Sequence, residues 1–206
     1  MNDLERALND IASIRNQIAD VQLFHGFGPI VIAATGGLAL GCGFLQTTIL
    51  GVQSDTADVL TPWIVLACVS AILIGAEMWG LSRREHGAQA QTFLWSIVQK
   101  FLPAIMAGAV FGWVILTSAP DLYWLLPGVW QVMISLGVFA AVPMLPRRVI
   151  LVAGWYFLAG TTVCLWASQS REISPWSMGI PFGFGQLMMA ALLYWAPEKE
   201  MGVRNV

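Results

Sequence analysis

The stretch from Ser174 to Gln186 (SPWSMGIPFGFGQ) holds the residues best able to expose backbone polar groups in an apolar setting. Gly179, Pro181, Gly183 and Gly185 crowd together there. Pro181 has no N–H, so it frees the carbonyl four residues back, at Ser177. An interrupted helix of this kind offers carbonyl oxygens to a solute or an ion. Gln186 follows and is expected to reach a polar neighbour such as Gln131 or Ser135. The competing reading is a kinked helix whose neighbours satisfy the freed group, with Gln186 as an interhelical hydrogen-bonding residue.

Glu77 is the ionisable residue placed within an apolar stretch. Buried charge of this kind is costly, which makes it a functional suspect as a proton or cation ligand. It stands near the end of its stretch, so an interfacial carboxylate paired with Lys100 is the alternative. Cys42, Cys68 and Cys164 fall in three different apolar stretches, without disulfide or zinc spacing. With Met178 they make a Cu(I) site conceivable, but small apolar packing residues are the simpler reading. His25 and His86 flank apolar stretches without a ligand motif, so neither haem nor metal is expected. No nucleophile–base–acid set, carboxylate pair or phosphate loop is present, so no enzymatic activity and no cofactor are expected.

Six apolar stretches must position these residues: 29–50, 59–81, 101–119, 122–145, 149–168 and 175–196. Each approaches the ~20 residues that cross a ~30 Å hydrocarbon core. The chain has 206 residues, of which 57% are hydrophobic and 11% charged. Soluble domains carry about 25% charged residues, so the lipid bilayer is the expected surrounding. The net charge of −2 points to no nucleic acid. With the N-terminus inside, every Lys and Arg except Arg171 falls on the cytoplasmic side. That bias predicts cytoplasmic N- and C-termini, with the cysteines in the outer half of the membrane. The fold class expected is all-α: a polytopic bundle of six transmembrane helices over 26–197. An N-terminal cytoplasmic amphipathic helix over 1–25 precedes it, and a short cytoplasmic tail over 198–206 follows.

Leu4, Ile11 and Ile18 repeat every seven residues, and Ala7, Ile14 and Val21 share the second register. Asp3, Glu5, Asp10 and Asp20 outnumber Arg6 and Arg15, which disfavours an anionic lipid surface. This helix is therefore expected to contact protein: its own bundle, a second copy or a cytoplasmic partner. Two small-residue stripes recur at four-residue spacing, Ala33–Gly37–Gly41 and Ala104–Gly108–Gly112. Such stripes let helices approach closely, within the bundle or in a homo-oligomer or larger membrane complex. Trp63, Trp124, Trp166 and Trp176 read as one interfacial belt, and Trp79, Trp95 and Trp195 as the other. Trp130 and Trp155 lie deeper, as groove or packing residues. Residues 88–100 either extend the third stretch or lie along the headgroups.

The stretch Ser174 to Gln186, the N-terminal Asp-Ile-Ala-Ser-Ile-Arg segment and the Gly26-Phe27-Gly28-Pro29 junction resemble a group of small six-helix bacterial membrane proteins. The resemblance implies a bacterial inner-membrane location and transfers neither activity nor site residues. Two functions remain in view. One is binding or passage of a small solute near Gly179, Pro181, Gln186, Gln131 and Glu77. The other is an accessory subunit or sensor that engages a partner through the N-terminal helix.

Overall fold

A computed structural model of the chain describes residues 28–49, 56–84 and 88–195. The N-terminal heptads, both histidines and the C-terminal tail lie outside the described residues. Six helices run in order: α1 Pro29–Ile49, α2 Thr56–Arg84, α3 Ala88–Ser118, α4 Leu126–Ala141, α5 Ile150–Ser170 and α6 Trp176–Tyr194. There is no strand among the described residues. Each helix, or helix with its adjoining 3₁₀ turns, is long and apolar enough to cross a membrane. Helices are the expected outcome, because hydrocarbon offers no partner to a bare N–H or C=O.

Residues 88–100 extend α3 as one continuous helix. A 3₁₀ segment, Pro120–Leu125, turns the chain directly into α4, where Pro127 sits in the first turn. There its missing N–H leaves no intrahelical bond unmade. Two further 3₁₀ turns, Val142–Met144 and Arg147–Val149, join α4 to α5. Arg171 ends α5 in the left-handed conformation (φ 55°), its N–H donating to the Ala167 carbonyl at 2.7 Å.

The helices form a ring in chain order, closed by α1 against α6, with α4 also touching α6. Small residues set the close pairings. Gly36 and Gly43 of α1 lie against Gly183 and Gly179 of α6: a β-carbon at Gly43 would stand 3.5 Å from the Gly179 α-carbon, and one at Gly36 would stand 3.0 Å from the Gly183 oxygen. Between α4 and α5, a β-carbon at Gly128 would come 2.6 Å from the Gly160 oxygen. Backbone cannot retreat as a flexible side chain can, so these glycines fix the approach of the helices.

The stripe Ala33–Gly37–Gly41 does not make central contacts. Gly37 and Gly41 are exposed, with nothing within 4 Å of an added β-carbon. The inward face is instead Ile32, Thr35, Gly36, Ala39 and Gly43, with Gly36 immediately before Gly37. One residue is about 100° of helix rotation. The second stripe does pack inside: Gly108 and Gly112 receive the Trp130 ring, and Ala104 lies against Gly137.

Three apolar clusters hold the ring. At the end carrying Arg147 and Arg148, Val138, Val149, Val152, Ala153 and Tyr156 form one. Toward the Arg171 end, Ala39, Trp63 and Met178 form a second, and Leu60, Ile115 and Leu126 a third. Trp63 belongs to this core, at 4% exposure, and is not a belt residue. By contrast, Trp79, Trp95, Trp166 and Trp195 are exposed. The least enclosed helix is α2, with 11% of its spanning window buried against 44% for the window containing α4. Its inward residues, including Val59, Trp63, Leu66, Ser70, Ile74 and Glu77, form a single stripe.

Candidate functional site

Pro181 is buried within α6, and the Ser177 carbonyl has lost its helical donor. The side chain that replaces it is Gln131, whose Nε2 donates to Ser177 O at 2.7 Å. Gln131 is completely buried (0% exposed) on α4. Gly160 of α5 lies beside it, where a β-carbon would stand 3.0 Å from Gln131 Cβ. Three helices thus converge on one amide. Its Nε2 is engaged, while no protein group among the described residues donates to its Oε1. The amide cannot be turned to remedy this, because Ser177 O must face a donor.

Just below the break, two more carbonyls of α6 are taken from α5. Trp155 Nε1 donates to Pro181 O at 3.0 Å, and its ring packs on Phe184 with centroids 4.6 Å apart. Tyr156 OH stands 3.5 Å from Phe182 O, a long contact, and its ring fills the space that the absent Gly185 side chain leaves. Ser135 is fully buried and donates to Ala153 O at 2.8 Å. Trp130 donates to Gly108 O at 3.1 Å. Trp130 and Trp155 are therefore packing residues with hydrogen-bonded indoles.

Gln186 is elsewhere. It is half-buried and faces α1, its Cβ 3.1 Å from a β-carbon added at Gly36. It does not meet Gln131 or Ser135. Gly179 is also on the α1 side, buried against Gly43 and Ala39. So Gln131 and Pro181 come together, while Gly179 and Gln186 serve the α1–α6 seam.

Glu77 is far from this wedge in the ring order. Its carboxylate accepts the backbone N–H of Gly28, immediately before α1. A helix start suits a carboxylate, since N–H groups and the positive end of the dipole gather there. Among the described residues, Glu77 forms no ion pair with Lys100. The link fastens α2 to the start of α1. At the opposite end, Gln46 fastens the same two helices. Its Oε1 accepts Trp63 Nε1 at 2.6 Å, and its Nε2 donates to Val59 O at 2.8 Å. Sequence reasoning passed over Gln46, although a Gln near the end of an apolar stretch was the available signal.

A recess of about 230 Å³ opens between α5 and α6 toward the Arg171 end. Thr162, Val163, Trp166, Ser174, Trp176 and Ser177 line it. Ser177 thus faces the recess and also gives its carbonyl to Gln131. Cys164 lies against Gly128, Cys42 packs near Met178, and Cys68 is exposed. Among the described residues, no three His, Cys, Asp or Glu side chains are grouped for a metal ion.

Comparison with known proteins found no matching family model, no matching curated protein and no matching solved structure. The fold and site define the class: an integral membrane protein of six apolar helices, multi-pass and all-helical.

The Gln131–Ser177 bond gives a double-mutant prediction. Gln131→Leu leaves the Ser177 carbonyl unmet and is expected to cost about 1–3 kcal/mol. Pro181→Ala restores the helical N–H and should recover most of that loss in the double variant. Denaturant unfolding of the purified protein in mixed micelles measures the cycle, and additive single effects would show that the two residues are uncoupled.

Proposed function

We propose that this protein binds a small solute in the wedge between α4, α5 and α6, beside Gln131 and Pro181. One observation carries the reading: Gln131 Oε1 is buried with no protein donor among the described residues. An acceptor left bare in such a setting costs about 1–3 kcal/mol, and a bound donor offsets that cost. Binding fits the geometry better than passage, because glycine contacts close both the α1–α6 and α4–α5 seams. A structure solved from native membrane lipid, at a resolution that shows water, tests this. Non-protein density within hydrogen-bonding distance of Gln131 Oε1 is expected. A Gln131 amide satisfied wholly by protein would end the proposal.

The charge bias supports an orientation with both termini in the cytoplasm of a bacterial inner membrane, placing Arg171 and the recess outside. In a cysteine-free background, Glu172→Cys should react with a membrane-impermeant maleimide on intact cells, and Arg147→Cys only after permeabilisation. The reverse pattern would invert the topology.

A second reading, an accessory subunit, rests on α2 and on the open Gly37–Gly41 face of α1. α2 meets the bundle along one stripe. A β-carbon added at Gly37 or Gly41 meets nothing within 4 Å among the described residues, so Gly37→Ile and Gly41→Ile should leave stability within about 0.5 kcal/mol. If that face holds a second copy or another subunit, the same variants break the complex in native mass spectrometry. An unchanged complex removes this face from consideration. Leu4, Ile11, Ile14, Ile18 and Val21 offer a separate cytoplasmic contact in this reading.

A further inference from the structure

We propose that the recess at the Arg171 end is the mouth of the Gln131 site and that its ligand is an uncharged polyhydroxylated molecule. The source is a free sugar or the sugar headgroup of a membrane lipid. This rests on the solute-binding reading and names the ligand class and its route.

Ser177 makes the connection. It lines the recess, and its carbonyl holds Gln131 Nε2 at 2.7 Å. Gln131 Oε1 shares one carbon with that nitrogen, so the bare acceptor lies within one amide group of the Ser177 carbonyl. A ligand entering beside Ser177 must present a donor to satisfy it, since an amide oxygen only accepts. The lining argues for neutrality. None of the six lining residues is charged, and the neighbouring Arg171 and Glu172 are exposed in the α5–α6 connection. A bare ion entering this apolar wall would lose hydration without gaining a counter-charge.

The polar groups at the mouth are hydroxyls. Ser177 Oγ donates to Ser174 O at 2.6 Å, which leaves its lone pairs free to accept. Ser174 Oγ accepts Trp176 N at 3.3 Å and keeps its own proton available. No protein group among the described residues engages the Thr162 hydroxyl. Trp166 and Trp176 flank these groups, at 57% and 36% exposure. Indole faces beside hydroxyls suit a molecule with an apolar C–H face and a hydroxylated edge, as a sugar ring has. The volume of about 230 Å³ falls below the ~300–1,000 Å³ of drug-sized pockets, which limits the ligand to about one ring.

The test uses the full chain in phosphatidylcholine nanodiscs. Methyl β-glucoside is the free probe in saturation-transfer NMR, with tetramethylammonium and acetate as charged probes. Monoglucosyl diacylglycerol, added to the nanodiscs, is the lipid probe, read by native mass spectrometry. Saturation transfer to the glucoside, weakened about fivefold in Thr162→Val and in Gln131→Leu, supports a free sugar. Retention of the glycolipid alone, with the same sensitivity, supports the lipid source. Thr162 is exposed, so its variant keeps the test valid if Gln131→Leu fails to fold. Equal binding of either charged probe overturns the proposal, as does binding of neither sugar. In the latter case, water alone beside Gln131 sinks the solute-binding reading too, whereas density for another molecule there preserves it.

Discussion

Hydrocarbon supplies no hydrogen bonds, and the carbonyl that Pro181 strips of its helical partner must find one inside the protein. Gln131 provides it, and the arrangement around that bond follows. For the amide to reach Ser177, α4 must approach α6 as well as its ring neighbour α5. That spacing requires Gly128 and Gly160 at the α4–α5 crossing, where any β-carbon would strike backbone. Interhelical hydrogen bonds in membranes contribute only about 0.6 kcal/mol on average. An unmet buried carbonyl costs more, about 1–3 kcal/mol. The Gln131–Ser177 bond therefore matters mainly for the penalty it avoids. The same logic governs Trp130, Ser135 and Trp155, each of which delivers a side-chain donor to a backbone carbonyl of a neighbouring helix.

The two halves of the ring use different chemistry. Helices α3 to α6 interlock through aromatic rings set into glycine gaps, as Trp130 over Gly108 and Gly112, and Tyr156 over Gly185. Helix α2 relies on polar fastenings near both of its ends. Gln46 joins Trp63 and Val59 at one end, and Glu77 meets Gly28 at the other. Its remaining faces, including Val65, Val69, Ile72 and Leu73, are exposed apolar surface. Such a surface suits lipid directly.

The apolar stretches were legible because six runs of this length have no other common meaning. Proline chemistry likewise gave the freed Ser177 carbonyl. The identity of its donor was not legible. Gln131 and Gln186 are equivalent as letters, and only the rotation of α6 sends Gln186 to α1. Rotation was also the failure at Gly37 and Gly41. The run Gly36-Gly37 and Gly41-Cys42-Gly43 carries two small faces on different sides of the helix, and an apolar helix has no polar side to choose between them. The Glu77–Lys100 pair was suggested by charge alone, whereas a helix start is an equally good anion partner.

The closure of α1 on α6 bears on how the chain is made. These are the first and last of the six described helices, and their glycine faces meet each other. As ribosome and translocon deliver the helices in order, α1 enters lipid with Gly36 and Gly43 uncovered and waits through the synthesis of four others. The α3–α4–α5 wedge can assemble meanwhile from neighbours. The seam between α1 and α6 therefore closes only after the other described helices are made, and until then α1 has α2 as its partner, through Gln46 and Glu77.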